Sequence, residues 1–145
     1  MQTIYIKAAM KGTSSVLMAE AVALVLAATV TKHLDLHQAS FLSDNQQLVN
    51  FFNDLNRDDP PDWRIKYYTQ TFINLSNVAT HRIHRIKRDQ NCTADSLDRQ
   101  SFTQLHSSTV FTCACSYAAH VQCSLREALL SVTLHSVTLL TTSCC

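Results

Sequence analysis

Residues 39–52 read ASFLSDNQQLVNFF and join a short apolar segment to an amphipathic one. Residues 39–43 have the pattern of a short buried strand. The residues that follow repeat apolar side chains at helical spacing, which predicts a helix over about 45–55. Asp44 lies at the junction of the two elements. Its carboxylate has two interpretations: it caps the helix, a role for which Ser43 also qualifies, or it binds a metal ion.

Further elements are predicted on both sides of this stretch. Residues 16–32 form the strongest helical segment, which Ser14 or Ser15 can cap and which is apolar nearly all round, so we expect it to be largely buried. The order of elements is strand, helix, strand, helix, helix, strand, helix, which indicates an α/β fold with parallel strand pairing. The remaining predictions are a strand at 3–8, a helix at 62–76, a strand within 79–87 and a last helix from about Thr93.

The chain changes in character after Gln100. It has 145 residues and a net charge of +1, so bulk charge does not indicate a nucleic-acid partner. Only Arg126 and Glu127 are charged beyond residue 100, and five of the six cysteines lie there. We therefore predict one domain over residues 1–100 and a poorly ordered tail of low charge over residues 101–145.

The localisation expected from the sequence is intracellular, in the nucleus or the cytoplasm. The first residues, MQTIYIKAAMKG, lack the apolar region of a signal peptide. The apolar runs of the tail are shorter than the roughly 20 residues of a membrane span. We accordingly expect no membrane partner, and reduced cysteines in place of a disulfide framework.

Three acidic residues lie near the ends of predicted elements. Glu20 belongs to the first turns of the buried helix, Asp44 follows the central strand, and Asp95 starts the last helix. In a parallel α/β sheet such ends can converge on one edge. Clustered carboxylates need a counter-charge, and Mg²⁺ provides it because it prefers oxygen ligands.

The pattern of these segments resembles the ribonuclease H-like domain of plant reverse-transcriptase-like, retroelement-derived proteins. The resemblance covers nearly all of residues 1–100. It rests on the following segments, in order: MAEAVAL (18–24), ASFLSDNQQLVNFF (39–52), PPDWRIKYY (60–68) and RDQNCTADSLDRQ (88–100).

The resemblance implies a function and a set of site residues. It implies hydrolysis of the RNA strand of an RNA–DNA hybrid with Mg²⁺ or Mn²⁺, and no small-molecule cofactor. Glu20, Asp44 and Asp95 would be the catalytic, metal-binding carboxylates. Arg88 and Asn91 match the loop before the last acid, which they would shape.

Two departures from the family pattern predict impaired catalysis. The family's domain begins with a strand carrying an aspartate and then a second, antiparallel strand, whereas this sequence starts at what would be the third strand. We therefore expect a ribonuclease H-like layer fold that lacks its first two strands, with the C-terminal tail appended. The strand at residues 3–8 then either pairs with a new neighbour or stays loose. In addition, Asp98 replaces a residue that is usually small, and this extra acid could perturb the site or simply face solvent.

Two further groups of side chains could contact nucleic acid. Residues 81–88, HRIHRIKR, are rich in cations, and Arg82, Arg85, Lys87 and Arg88 could bind phosphates or could simply be the solvated face of a strand. The aromatic residues Trp63, Tyr67 and Tyr68 could stack on bases, but their helical spacing favours packing in the core. The alternatives to an enzyme are a non-catalytic remnant that binds nucleic acid and a translated retroelement fragment.

Overall fold

The computed structural model describes residues 4–9, 14–54, 58–76, 82–102, 110–113 and 136–141. The chain divides into two compact units. One spans Thr13–Asn91, and the other, called the terminal unit below, combines Met1–Gly12 with Cys92–Cys145. Helices and strands are mixed along the chain, and each unit contains a parallel strand pair, which is compatible with an α/β fold.

Helix α1 (Val16–His33) has the boundaries expected from its composition. The Ser15 hydroxyl accepts a hydrogen bond from the Met18 N–H at 3.2 Å and caps the helix. Lys32 and His33 occupy its last turn, where positive charge is favourable. Among the described helices, α1 alone is long and apolar enough to cross a membrane. Helices that are buried in a protein core can have the same length and composition.

Strand β2 (Ser40–Ser43) and strand β3 (Arg82–Arg85) form a two-stranded parallel sheet. Phe41 is paired with Ile83, and both side chains are buried. Helix α2 (Gln46–Asn53) follows β2 and buries the side chains of Leu48, Val49, Phe51 and Phe52. The parallel pairing predicted from the order of elements is confirmed for these two strands.

Helix α3 (Lys66–Leu75) follows a 3₁₀ turn (Trp63–Ile65) and completes the core of the Thr13–Asn91 unit. The Phe72 ring lies 5.1 Å from that of Phe41 and 4.8 Å from that of Phe52, measured between centroids. Ile65 is fully buried in the same cluster. Apolar residues from α1, β2, α2, α3 and β3 therefore share one core.

The terminal unit contains a three-stranded sheet in the order β1-β5-β4. Its strands are β1 (Ile4–Ala9), β4 (Val110–Cys113) and β5 (Ser136–Thr141). β5 is antiparallel to β1 along all of β1 and parallel to β4. Of the two outcomes expected for the first strand, pairing with a new neighbour is the one observed. The tail contributes two strands, and the domain boundary at Gln100 stays a prediction.

Helix α4 (Cys92–Phe102) belongs to the terminal unit, in which it contacts β1. A 3₁₀ turn (Arg88–Asn91) precedes it at the end of the Thr13–Asn91 unit. The helix begins within one residue of the predicted Thr93. The order of strands and helices up to α4 is thus the predicted one, whereas the absence of the family's first two strands stays a prediction.

Candidate nucleic-acid interface

The junction between β2 and α2 is organised by Ser43 and Asn45. The buried Ser43 hydroxyl accepts a hydrogen bond from the Asn45 N–H at 3.1 Å. The Asn45 side-chain oxygen accepts from the Leu48 N–H at 3.2 Å, so Asn45 is the N-cap of α2. The prediction that Asp44 or Ser43 caps this helix was wrong, because Asn45 has the extended backbone of a cap residue and the side-chain oxygen that reaches Leu48.

Asp44 instead faces a cation. Its side chain is only 13% exposed, and its Oδ2 lies 3.8 Å from the Nε of Arg88, whose side chain is 83% exposed. The backbone brings the two residues together, because the Ile86 N–H donates to the Ser43 carbonyl at 3.1 Å and continues the β2–β3 pairing by one step. Arg88, which was predicted to bind phosphate, therefore also balances the charge of Asp44.

A basic segment extends along β3 and the turn after it; we define it as residues 82–88. Arg82, His84, Arg85, Lys87 and Arg88 are all exposed, whereas Ile83 is buried and fixes the orientation of the strand. Within the described part of the chain, Arg88 is the only one of these residues that forms an ion pair. The segment therefore presents uncompensated positive charge on an exposed strand.

The sheet register shows which residues accompany these cations. Arg82 is paired with Ser40 and His84 with Leu42, and all four residues are exposed. Asn53, the last residue of α2, donates from its side chain to the Ile83 carbonyl at 3.5 Å. The basic segment is consequently attached to the core of its unit through Ile83 while its charged side chains face solvent.

The other two predicted carboxylates lie on helices. Glu20 is half-buried in α1, in the same unit as Asp44, and Asp95 is half-buried in the first turn of α4, in the terminal unit. Among the residues that the structure describes, no three or more His, Cys, Asp or Glu side chains form a group that could hold a metal ion. The assignment of Glu20, Asp44 and Asp95 as metal ligands stays a prediction.

Comparison with known proteins assigns the family. A family model described as reverse transcriptase-like matches residues 2–101, which is more than half of the chain. The chain belongs to the reverse transcriptase-like family. This is a family of ribonuclease H-like domains. No curated protein and no solved structure matches the chain significantly.

In this reverse transcriptase-like domain, the match includes every residue predicted to be functional. It ends at residue 101 and so includes the basic segment and the three carboxylates, but neither β4 nor β5. Asn91, predicted to shape the loop before Asp95, is the half-buried last residue of the 3₁₀ turn that precedes α4. Its position is consistent with that role, which stays a prediction.

The aromatic residues of the reverse transcriptase-like domain correct one expectation. Trp63 is 81% exposed and Tyr67 is 74% exposed, so these two rings do not pack in the core. Tyr68 is half-buried and does pack against it. The physical reason is helical phase, because the buried face of this segment is defined by Ile65, Thr69 and Phe72. Trp63 and Tyr67 lie outside that face, and this offset in spacing was the signal that could have identified them as exposed.

Proposed function

We propose that this reverse transcriptase-like domain binds RNA–DNA hybrid through the basic segment and cleaves it poorly or not at all. The observation that carries the proposal is the group of exposed cations on β3 and the following turn. Lys and Arg side chains bind the phosphate backbone and provide most of the affinity of such complexes. The family match supports nucleic acid as the substrate class.

The carboxylates account for the catalytic half of the proposal. Glu20, Asp44 and Asp95 have the oxygen donors that suit Mg²⁺ or Mn²⁺, and a bound divalent ion would polarise a phosphodiester and activate water. In this structure the nearly buried Asp44 carboxylate has the Arg88 guanidinium as its counter-charge. A cation binding at Asp44 would have to compete with Arg88, which supports impaired catalysis.

A binding experiment tests the interface. We expect the protein to bind a labelled RNA–DNA hybrid with an affinity that falls steeply with salt, and the triple variant R82Q/R85Q/K87Q to lose most of that affinity. K32Q is the matched control, because Lys32 is exposed at the end of α1, outside the basic segment. Unchanged hybrid affinity in the triple variant would contradict the proposed interface.

A cleavage experiment tests the catalytic half separately. With Mg²⁺ or Mn²⁺ we expect no hydrolysis of the RNA strand above background, at protein concentrations that saturate the hybrid. Cleavage by the unmodified protein that disappears in D44N would show an active enzyme and overturn the impairment. D44N keeps every cation of the basic segment and releases Arg88 from its ion pair. A hybrid affinity at least equal to that of the unmodified protein therefore shows that D44N is folded.

A further inference from the structure

The exposed face of α3 and of the turn before it is unlike an ordinary solvated helix face. Trp63 and Tyr67 project from it at a spacing of four residues, and Gln70 and Asn74 continue the same row. The Gln70 amide donates to the Asn74 side-chain oxygen at 3.3 Å. The opposite face is buried through Ile65, Thr69 and Phe72, so the segment is anchored while the two large rings remain in solvent.

Of the charged groups near the rings, Asp62 and Arg64 pair with each other, whereas Lys66 is free to contact a ligand. Asp62 accepts hydrogen bonds from Arg64, with Nη2 to Oδ2 at 2.7 Å and Nε to Oδ1 at 3.0 Å. The side-chain hydrogen bonds from Arg64 hold the pKa of Asp62 below its ordinary value, so that carboxylate stays ionised and neutralises Arg64. Lys66 is exposed between Trp63 and Tyr67, and no described residue forms an ion pair with it.

We propose that Trp63, Lys66 and Tyr67 form a stacking platform for single-stranded nucleic acid. Aromatic rings stack on bases of any sequence, and cations near them bind the backbone. The combination of two exposed rings, one uncompensated ammonium group and two amides fits unpaired bases joined by phosphates. The inference rests on the proposed nucleic-acid function, but it places binding on α3 and the turn before it and not on the basic segment. The expected ligand is a single strand and not a hybrid duplex, because the bases of a duplex already stack on one another and are not free to stack on protein rings.

The neighbouring charges give the bound strand a location. The exposed Asp58 and Asp59 precede Trp63 in the sequence and would repel phosphates. From Trp63 to Asn74 the exposed row carries no carboxylate, because residues 63–74 contain none. The bound nucleic acid therefore extends from Trp63 towards Asn74, and the Lys66 ammonium group contacts its phosphates.

Trp63 provides a direct test, because it is the only tryptophan in the chain. We expect dT12 and rU12 to quench its emission, and a blunt DNA duplex of the same length to leave it unchanged. The variant Y67A should bind either single strand about tenfold more weakly, the loss expected for removing one stacking contact. Y67F retains the ring and should bind both single strands as tightly as the unmodified protein does. K66Q should lower the salt dependence of single-strand binding, because it removes a cation.

Several outcomes would overturn the platform. These are no quenching by either single strand, equal quenching by the duplex, or equal affinity of Y67A and Y67F. Emission that depends on protein concentration alone, with dimers in sedimentation, would assign the face to a second copy of the chain instead. Loss of hybrid binding in R82Q/R85Q/K87Q with single-strand quenching intact would leave the platform standing, so the two proposals fail independently.

Discussion

Asp44 is the residue at which structure and proposed function meet most closely. Its carboxylate ends a buried strand, and its only described ion-pair partner is the exposed Arg88. With one partner this exposed, the pair contributes at most about 1 kcal/mol to stability. Its main effect is on charge balance, because it compensates one cation of the basic segment while Arg82, Arg85 and Lys87 have no carboxylate partner among the described residues.

Because Asp44 compensates the charge of Arg88, we expect the cations of the basic segment to contribute unequally to hybrid binding. R85Q should weaken hybrid binding and lower the slope of log affinity against log salt by about 1, whereas R88Q should change both much less. The D44N substitution removes the ion-pair partner of Arg88, so in that background R88Q should lower the hybrid affinity as much as R85Q does. Fluorescence anisotropy at four salt concentrations measures these slopes, and equal slopes for R85Q and R88Q with Asp44 present would contradict the prediction.

The backbone conformation of Asp35 lowers the stability of the folded protein by a measurable amount. It follows α1 with a φ of 54°, in the left-handed region that glycine adopts most readily. Its contact with His37 is between two exposed side chains at 3.6 Å and contributes little. We expect D35G to raise the free energy of unfolding by up to about 1 kcal/mol, seen as a melting temperature higher by roughly 2–4 °C.

D35A is the control for that experiment. Alanine removes the same carboxylate but keeps a Cβ in the left-handed region, so it should be less stable than D35G. If both variants melt at the same temperature, the backbone conformation of Asp35 is not the cause.

At the scale of elements, α3 has two faces with different roles. Its buried face contributes Phe72, which contacts the rings of Phe41 and Phe52 and so links the helix to β2 and α2. Its exposed face carries Tyr67, whose ring contacts only that of Tyr68 among the described aromatic pairs. Stability and ligand binding are thus assigned to opposite sides of one short helix.

This division predicts different effects of two aromatic truncations on α3. F72A should lower the free energy of unfolding by about 3–5 kcal/mol, because it opens a cavity in the core. Y67A removes a ring of similar size from the surface and should change stability by less than about 0.5 kcal/mol. Urea denaturation followed by circular dichroism compares the two, and a large loss of stability in Y67A would contradict the assignment of faces.

At the scale of the whole molecule, local patterns in the sequence predicted local structure. The length of α1 and the serine cap at its start follow from spacing and residue type. The partner of β1 could not be predicted in this way, because Ile4 pairs with Thr141 from the opposite end of the chain. The convergence of Asp95 and Asp44 was predicted from their positions at the ends of elements and from the family resemblance, and it stays a prediction.

The long-range pairing makes the C-terminal segment essential to the terminal unit. A chain ending at Phe102 lacks β4 and β5, so β1 loses the only strand with which it pairs in the described structure. We expect the amides of β1 (Ile4–Ala9) that bond to β5 to lose protection from hydrogen exchange in that variant. The amides of Val49 and Ile86 in the other unit, which donate to the Asn45 and Ser43 carbonyls at 3.1 Å, should stay protected. A chain ending at Thr141 is the control, and protected β1 amides in the shorter chain would refute the pairing.

The pairing of Ile4 with Thr141 also orders events during synthesis. β1 leaves the ribosome before its partner β5, because residues 10–135 lie between the two strands. At about 5–20 residues per second, the first strand waits on the order of ten seconds or more with its backbone groups unpaired. Nascent chains stalled before residue 136 should therefore bind chaperones that recognise extended apolar segments, and release them once β5 emerges.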